Sequence, residues 1–255
     1  MAGLRRWLQH PWALGSLGIL VVVLLWWGIT ASGSVNKLFL PSPEAVWQAG
    51  QQQWSSGLLL QDAVASIRRV FLGFALSAGL ALPVGIAMGS NAVICRLLEP
   101  LMGLIRYMPA PAFIPLLIIY FGLGELPKVL LIFIGTFFFN TLMIMDAVKF
   151  VPRELIETAL TLGGRTLPIL VRVVAPFIAP QVLDAYRINM ASAWNLVIVA
   201  ELVAATEGLG KRISLAQRFL RTDEIFLGLI VIGLIGLLID LGFRALMRRA
   251  CRWAN

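Results

Sequence analysis

FVPRELIETALTLGGRTLPILVRVVAP, residues 150–176, stands between two long apolar runs and does not itself read as a membrane crossing. Its first half carries the marks of a helix. Pro152 suits a first helical turn, and Glu154 and Glu157 set negative charge at the positive end of the helix dipole. Gly163-Gly164 is a natural stop, because a left-handed cap favours glycine. A second short helix is expected from about Thr166. A helix, a glycine turn and a second helix beside a membrane form a protrusion, and a protrusion serves to dock with another molecule.

On both sides of this segment the chain is written for lipid. Of 255 residues, 59% are hydrophobic and only 13% charged, against about 25% charged in a soluble domain. A hydrocarbon core of about 30 Å takes about 20 apolar residues per helical pass, which leaves room for roughly six. The expected fold is an all-α integral membrane protein of about six transmembrane helices. The spans read as about 14–31, 70–88, 97–122, 129–147, 177–204 and 226–246, in a single transmembrane domain covering 1–255. The first is an N-terminal anchor helix, 14–31, retained because it is long enough to span and is followed by a weak cleavage site. The other five make a core over 60–246. Between the first two spans, Ser42 opens a short surface helix over 44–55.

The third span is irregular. Pro109, Pro111 and Pro115 cannot share one regular helix. Broken backbone inside a membrane is tolerated where it is buried in protein or lines a water-filled cavity. This makes Arg106, Tyr107, Met108 and Pro109 candidates for lining a pathway; the plainer reading is a tilted helix meeting a kinked one at the interface. Arg106 and Arg187 lie at membrane depth. They could supply positive potential for an anion, or snorkel, or pair with Asp184, Glu99 or Asp146. On span five, Trp194, Asn195 and Glu201 are further pathway candidates, with Trp194 and Glu201 sharing one helical face. Asp240 and Arg244 are spaced as a structural pair.

The net charge of +8 does not point to nucleic acid, since the basic residues are scattered among the spans. Arg5, Arg6, Arg96, Lys149, Arg153, Arg165, Arg172, Arg244, Arg248, Arg249 and Arg252 flank the spans on one side, which is read as cytoplasmic and holds both termini and the 150–175 segment. The one histidine, His10, removes histidine-based catalysis and histidine-cluster metal sites, so no catalytic residue and no metal site is expected. Cys95 and Cys251 both fall at cytoplasmic ends, where a disulfide is not expected.

Glu157-Thr158-Ala159, Gly163, Val173, Ala175 and Pro176 resemble, at matching spacing, the EAA loop of ATP-binding-cassette (ABC) importer permeases. Thr158, Val173 and Ala175 depart from that pattern. Phe39 to Pro43, Ser66 to Val70 with Gly73-Phe74, the proline-rich stretch from Arg106, Tyr186-Arg187-Ile188, Ala193-Trp194, Ala200-Glu201 and Gly208-Leu209-Gly210 resemble the nitrate, sulfonate, taurine and bicarbonate branch. The resemblance implies a type I importer permease fold and a coupling segment over 150–175. In it, Glu154, Glu157, Thr158, Ala159, Gly163, Gly164 and Pro176 would engage an ATPase. It implies two ATP-binding subunits, a second permease copy, a periplasmic or lipid-anchored substrate-binding protein and a bacterial inner-membrane location. The chain would be no enzyme and bind no cofactor. ATP and magnesium would sit on the partner subunits, since GxxxxGK[ST] is absent here. The solute would be small and anionic. The rival class is an ion-coupled secondary transporter, for which Asp184 and Glu201 could form the buried acid pair.

Overall fold

A computed structural model describes residues 11–254. Arg5, Arg6 and His10 lie outside the described residues. In chain order the α-helices are α1 (Pro11–Ala31), α2 (Pro43–Ser55), α3 (Leu58–Ser90), α4 (Ala92–Arg106), α5 (Ile114–Phe121), α6 (Leu126–Lys149), α7 (Arg153–Thr161), α8 (Thr166–Ile169), α9 (Ala175–Ala204), α10 (Leu209–Arg218) and α11 (Thr222–Ala250). Among the described residues, five spans are long and apolar enough to cross a membrane, namely Leu14–Ala31, Leu58–Ser90, Leu126–Lys149, Thr166–Val203 and Thr222–Ala250. A sixth forms if Ala92–Arg106 and Ala110–Phe121, bent by 88°, count as one. The prolines at 109, 111 and 115 fall at that bend. There a 3-10 turn, Ala110–Phe113, separates the two halves.

The chain divides into two compact units. One is Met1–Gln61 with Arg212–Val231, of which 11–61 and Arg212–Val231 are described. In it Ser42 caps α2 by accepting from the Ala45 N–H at 3.3 Å. Trp26 donates to the Pro41 carbonyl at 2.9 Å and stacks on Phe226, over a small core of Val46, Ala49 and Leu227. Most of α1 presents bare apolar side chains, from Leu14 to Ile29, a surface suited to lipid or a neighbouring helix.

The other unit is Asp62–Lys211 with Ile232–Asn255. Its long axis of packing is a seam of small residues on α3. Gly73, Ser77, Ala81, Gly85 and Gly89 recur every fourth residue. A side chain at Gly73, Gly85 or Gly89 would strike Ile132, Ile144 or Val148 of α6. The offset between partners is constant, so α3 and α6 run in the same direction. Apolar surface gains nothing by leaving lipid, so close approach and interhelical hydrogen bonds must hold such a pair. Both occur: Asn140 of α6 donates to Ser77 of α3 at 3.0 Å and accepts from Asn189 of α9 at 2.8 Å. Gly85→Val is therefore expected to destabilise the detergent-solubilised protein by about 1–3 kcal/mol through overpacking. Gly79→Ala, whose new methyl meets nothing within 4 Å, is expected to leave the unfolding curve in place.

The third helix begins earlier than hydropathy predicts. α3 starts at Leu58, and residues 61–69 form its early turns, because Asp62, Ser66 and Arg69 are buried against partners from distant parts of the chain.

Candidate functional site

The 150–176 segment folds as a helix, a glycine turn and a second short helix. α7 has no buried residue, and Glu154, Glu157 and Thr158 are exposed along it. Thr158 Oγ1 donates to the Glu154 carbonyl at 2.7 Å. At the end of α7 the Gly163 N–H donates to the Leu160 carbonyl and the Gly164 N–H to the Ala159 carbonyl, both at 2.9 Å. This reciprocal pair is the Schellman arrangement, and it needs the left-handed φ of +82° found at Gly163. A methyl on Gly164 would come within 2.5 Å of the Ala159 carbonyl oxygen, so both glycines are dictated by the turn.

Ile156 and Ala159 anchor the inner side of α7 on a core of Val151, Ile169, Val174 and Ile178. The outer side leaves Phe150, Leu162 and Leu167 at 81%, 83% and 71% exposed. From α8 a π-helical turn, Leu170–Val174, leads without a break into α9, whose first turn carries Pro176. The fifth span thus starts at Thr166 and not at Phe177. Helical backbone runs from the protrusion's second helix directly into a membrane helix.

The bend between α4 and α5 builds a recess of about 350 Å³. Arg106, Tyr107, Met108 and Pro109 line one side of it, with Asn195 of α9 opposite. Trp194 and Glu201 turn elsewhere. Trp194 is buried against α11, donating its indole N–H to the Ile232 carbonyl at 2.9 Å. Glu201, fully buried, accepts from Ser66 Oγ at 2.8 Å, Arg69 Nη1 at 2.7 Å and the Gly210 N–H at 2.9 Å. Arg187 pairs with Asp184 at 2.8 Å and with Asp240 of α11 at 3.2 Å, and Asp240 pairs in turn with Arg244. Asp184 and Glu201 lie about 25 Å apart along α9 by helical rise, each held by its own arginine, so they form no joint acid pair.

Around Glu201 stands a charged node whose centre the sequence did not single out. Arg69, 1% exposed, reaches Glu125 at 2.5 Å and 2.8 Å through two nitrogens and Glu201 through a third contact. The Arg69 guanidinium, aided by Lys128, holds the Glu125 carboxyl down at about 2 against the opposing effect of burial. Asp62 accepts the Gly208 N–H at 2.8 Å and Ser66 the Leu209 N–H at 3.0 Å. The Gly-Leu-Gly turn, glycine-rich and opening a helix, suits an anion, and here carboxylates from the same chain fill that role. Gly208 has φ +124°, and any side chain there would run into the Glu201 carboxylate. The available signal was period: Asp62, Ser66, Arg69 and Gly73 follow the helical repeat that continues into the α3 seam.

A helical bundle with several apolar spans, a broken membrane helix and an exposed helix–turn–helix defines a multi-pass membrane transport subunit. The chain belongs to the family described as binding-protein-dependent transport system inner membrane component, which matches residues 81–252. It is 36% identical to the taurine transport system permease protein TauC of Escherichia coli K12 over 97% of this chain and 94% of that one. It is 32% identical to the putative aliphatic sulfonates transport permease protein SsuC of Bacillus subtilis 168, over 97% and 90%. An inward-facing structure of the MetNI methionine ABC transporter shares the fold, with a TM-score of 0.68 at 20% identity over 76% of this chain and 96% of that one.

Proposed function

We propose that this chain is the pathway-forming permease of an ATP-driven importer for taurine or a related small sulfonate, delivered by a binding protein outside the membrane. Two copies would enclose the pathway, with both termini and the 150–175 segment on the cytoplasmic side and two ATP-binding subunits beneath. ATP and magnesium would be held by those subunits. The observation that carries the reading is the protrusion itself: an exposed helix closed by a two-glycine turn, after which a second short helix runs on into a membrane helix. When the ATPases close, α7 moves as a lever and α9 swings with it, turning the cavity from one side of the membrane to the other. The recess lined by Arg106, Tyr107, Met108, Pro109 and Asn195 is the proposed segment of the pathway. The relatives' names support the substrate class. Trp194, Glu201 and Arg187 are assigned here to holding helices together.

The test is a photo-crosslinking amino acid at Leu162 in the complex purified with its ATPase. The expected result is a crosslink to the ATP-binding subunit, with ATP-dependent taurine uptake by the same complex in vesicles. A crosslink only to the binding protein, or to lipid alone, would overturn the assignment.

A further inference from the structure

We propose that Arg106 is the charge-selecting contact of the pathway, receiving the anionic head of the solute at the α4–α5 break; this rests on the permease reading above. Arg69, Arg106 and Arg187 each lie within an apolar helix or at a break in one. Two are neutralised inside the chain, Arg69 by Glu125 and Glu201 and Arg187 by Asp184 and Asp240. Arg106 pairs with no carboxylate among the described residues. Its contacts are with Tyr107, whose hydroxyl lies 3.3 Å from Nη2 and whose ring centroid lies 5.0 Å from the guanidinium carbon.

Depth makes that difference matter. The recess beside Arg106 is lined by Gly135 and Phe138 of α6 and by Ser192 and Asn195 of α9. These positions fall within about two turns of the midpoints of both helices. A cation at that depth is costly unless it meets water, protein or a counter-ion, and both Arg106 and Tyr107 are exposed on this chain. Stacking on Tyr107 steadies the guanidinium plane and leaves edge N–H donors to meet the oxygens of a planar or tetrahedral oxyanion. Ser192 and Asn195 offer further donors, and Phe138 gives a short alkyl chain an apolar wall. A discontinuous helix at mid-membrane is where transported ions and solutes meet their partners in many carriers. The volume, about 350 Å³, sits at the small end of ligand sites and suits a two-carbon sulfonate.

The experiment uses the full complex, with ATPase and binding protein, in proteoliposomes, and follows uptake of taurine, ethanesulfonate and nitrate. Assembly is checked by co-purification of the ATPase. Arg106→Gln is expected to lower uptake by about 30-fold or more, the effect of losing one desolvated charge partner. Arg106→Lys keeps the charge but loses the stacked plane and its paired edge donors, and is expected to fall between wild type and Arg106→Gln. Asn195→Asp places a carboxylate in the same recess, where it competes for Arg106, and is expected to fall as far as Arg106→Gln. Uptake by Arg106→Gln within about twofold of wild type, or an assembled Arg106→Lys as impaired as Arg106→Gln, overturns the proposal. If Arg106→Gln fails to assemble, wild-type uptake by Asn195→Asp overturns it instead. Failure of the wild-type complex to move any of the three solutes sinks the substrate reading and this proposal together, whereas wild-type uptake with an unaffected Arg106→Gln sinks this proposal alone.

Discussion

Gly163→Val is expected to leave a complex that assembles and hydrolyses ATP yet takes up at least about tenfold less solute, because hydrolysis no longer reaches the membrane helices. The turn after α7 requires φ +82° at this residue. A β-branched side chain there costs about 1–2 kcal/mol or more in backbone strain. The turn relieves that strain by giving up the two 2.9 Å hydrogen bonds that close it on Leu160 and Ala159. α7 then keeps only its packing through Ile156 and Ala159 and drives α8, the π-turn and α9 less tightly. Gly163→Asn is the control, since asparagine tolerates the left-handed region, and it should retain most uptake. The measurement is ATP hydrolysis stimulated by substrate-loaded binding protein, set beside uptake in the same vesicles. Normal uptake by Gly163→Val at normal expression would remove the lever from the mechanism.

The second large effect lies at the opposite end of α9. Arg69→Met should destabilise the solubilised protein by about 3–5 kcal/mol, the range for breaking a buried ion pair from one side. It strands Glu201, whose remaining partners are Ser66 and the Gly210 N–H. Glu201→Gln should cost less, about 1.5–3 kcal/mol, because Arg69 keeps Glu125. The two losses should not add. In the Arg69→Met background, Glu201→Gln removes the stranded carboxylate and should recover part of the stability. Unfolding in mixed detergent micelles gives all four corners of this cycle. Equal costs for the two single variants, or strict additivity, would show that the node does not work as a shared charge network.

Much of the architecture was written in runs of neighbouring residues. The apolar stretches and Ser42 at the start of α2 need only a window of a few turns to be read. The same is true of Pro109, Pro111 and Pro115 at the break and of the two glycines after α7. Each states a local backbone or solvation preference that holds whatever the rest of the chain does. The helix–turn–helix of 150–176 was legible for this reason: a helix closed by a left-handed glycine turn is fixed by its own residues.

The charged interior was less legible. Arg69 stands beside Arg68 just ahead of the span expected at 70–88, yet it is buried. The sequence marks Glu201 as an unusual acid in a span and leaves open whether it faces solute or salt bridge. Its partner stands 132 positions earlier in the chain. Only the packing of α3 beside α6 and α9 brings the two together. So the sequence alone determined the spans, the break and the protruding turn, since hydropathy and backbone preference act between near neighbours. The tertiary structure decided which charges neutralise one another, because Coulomb energy in a low-dielectric interior depends on distances that helix packing sets.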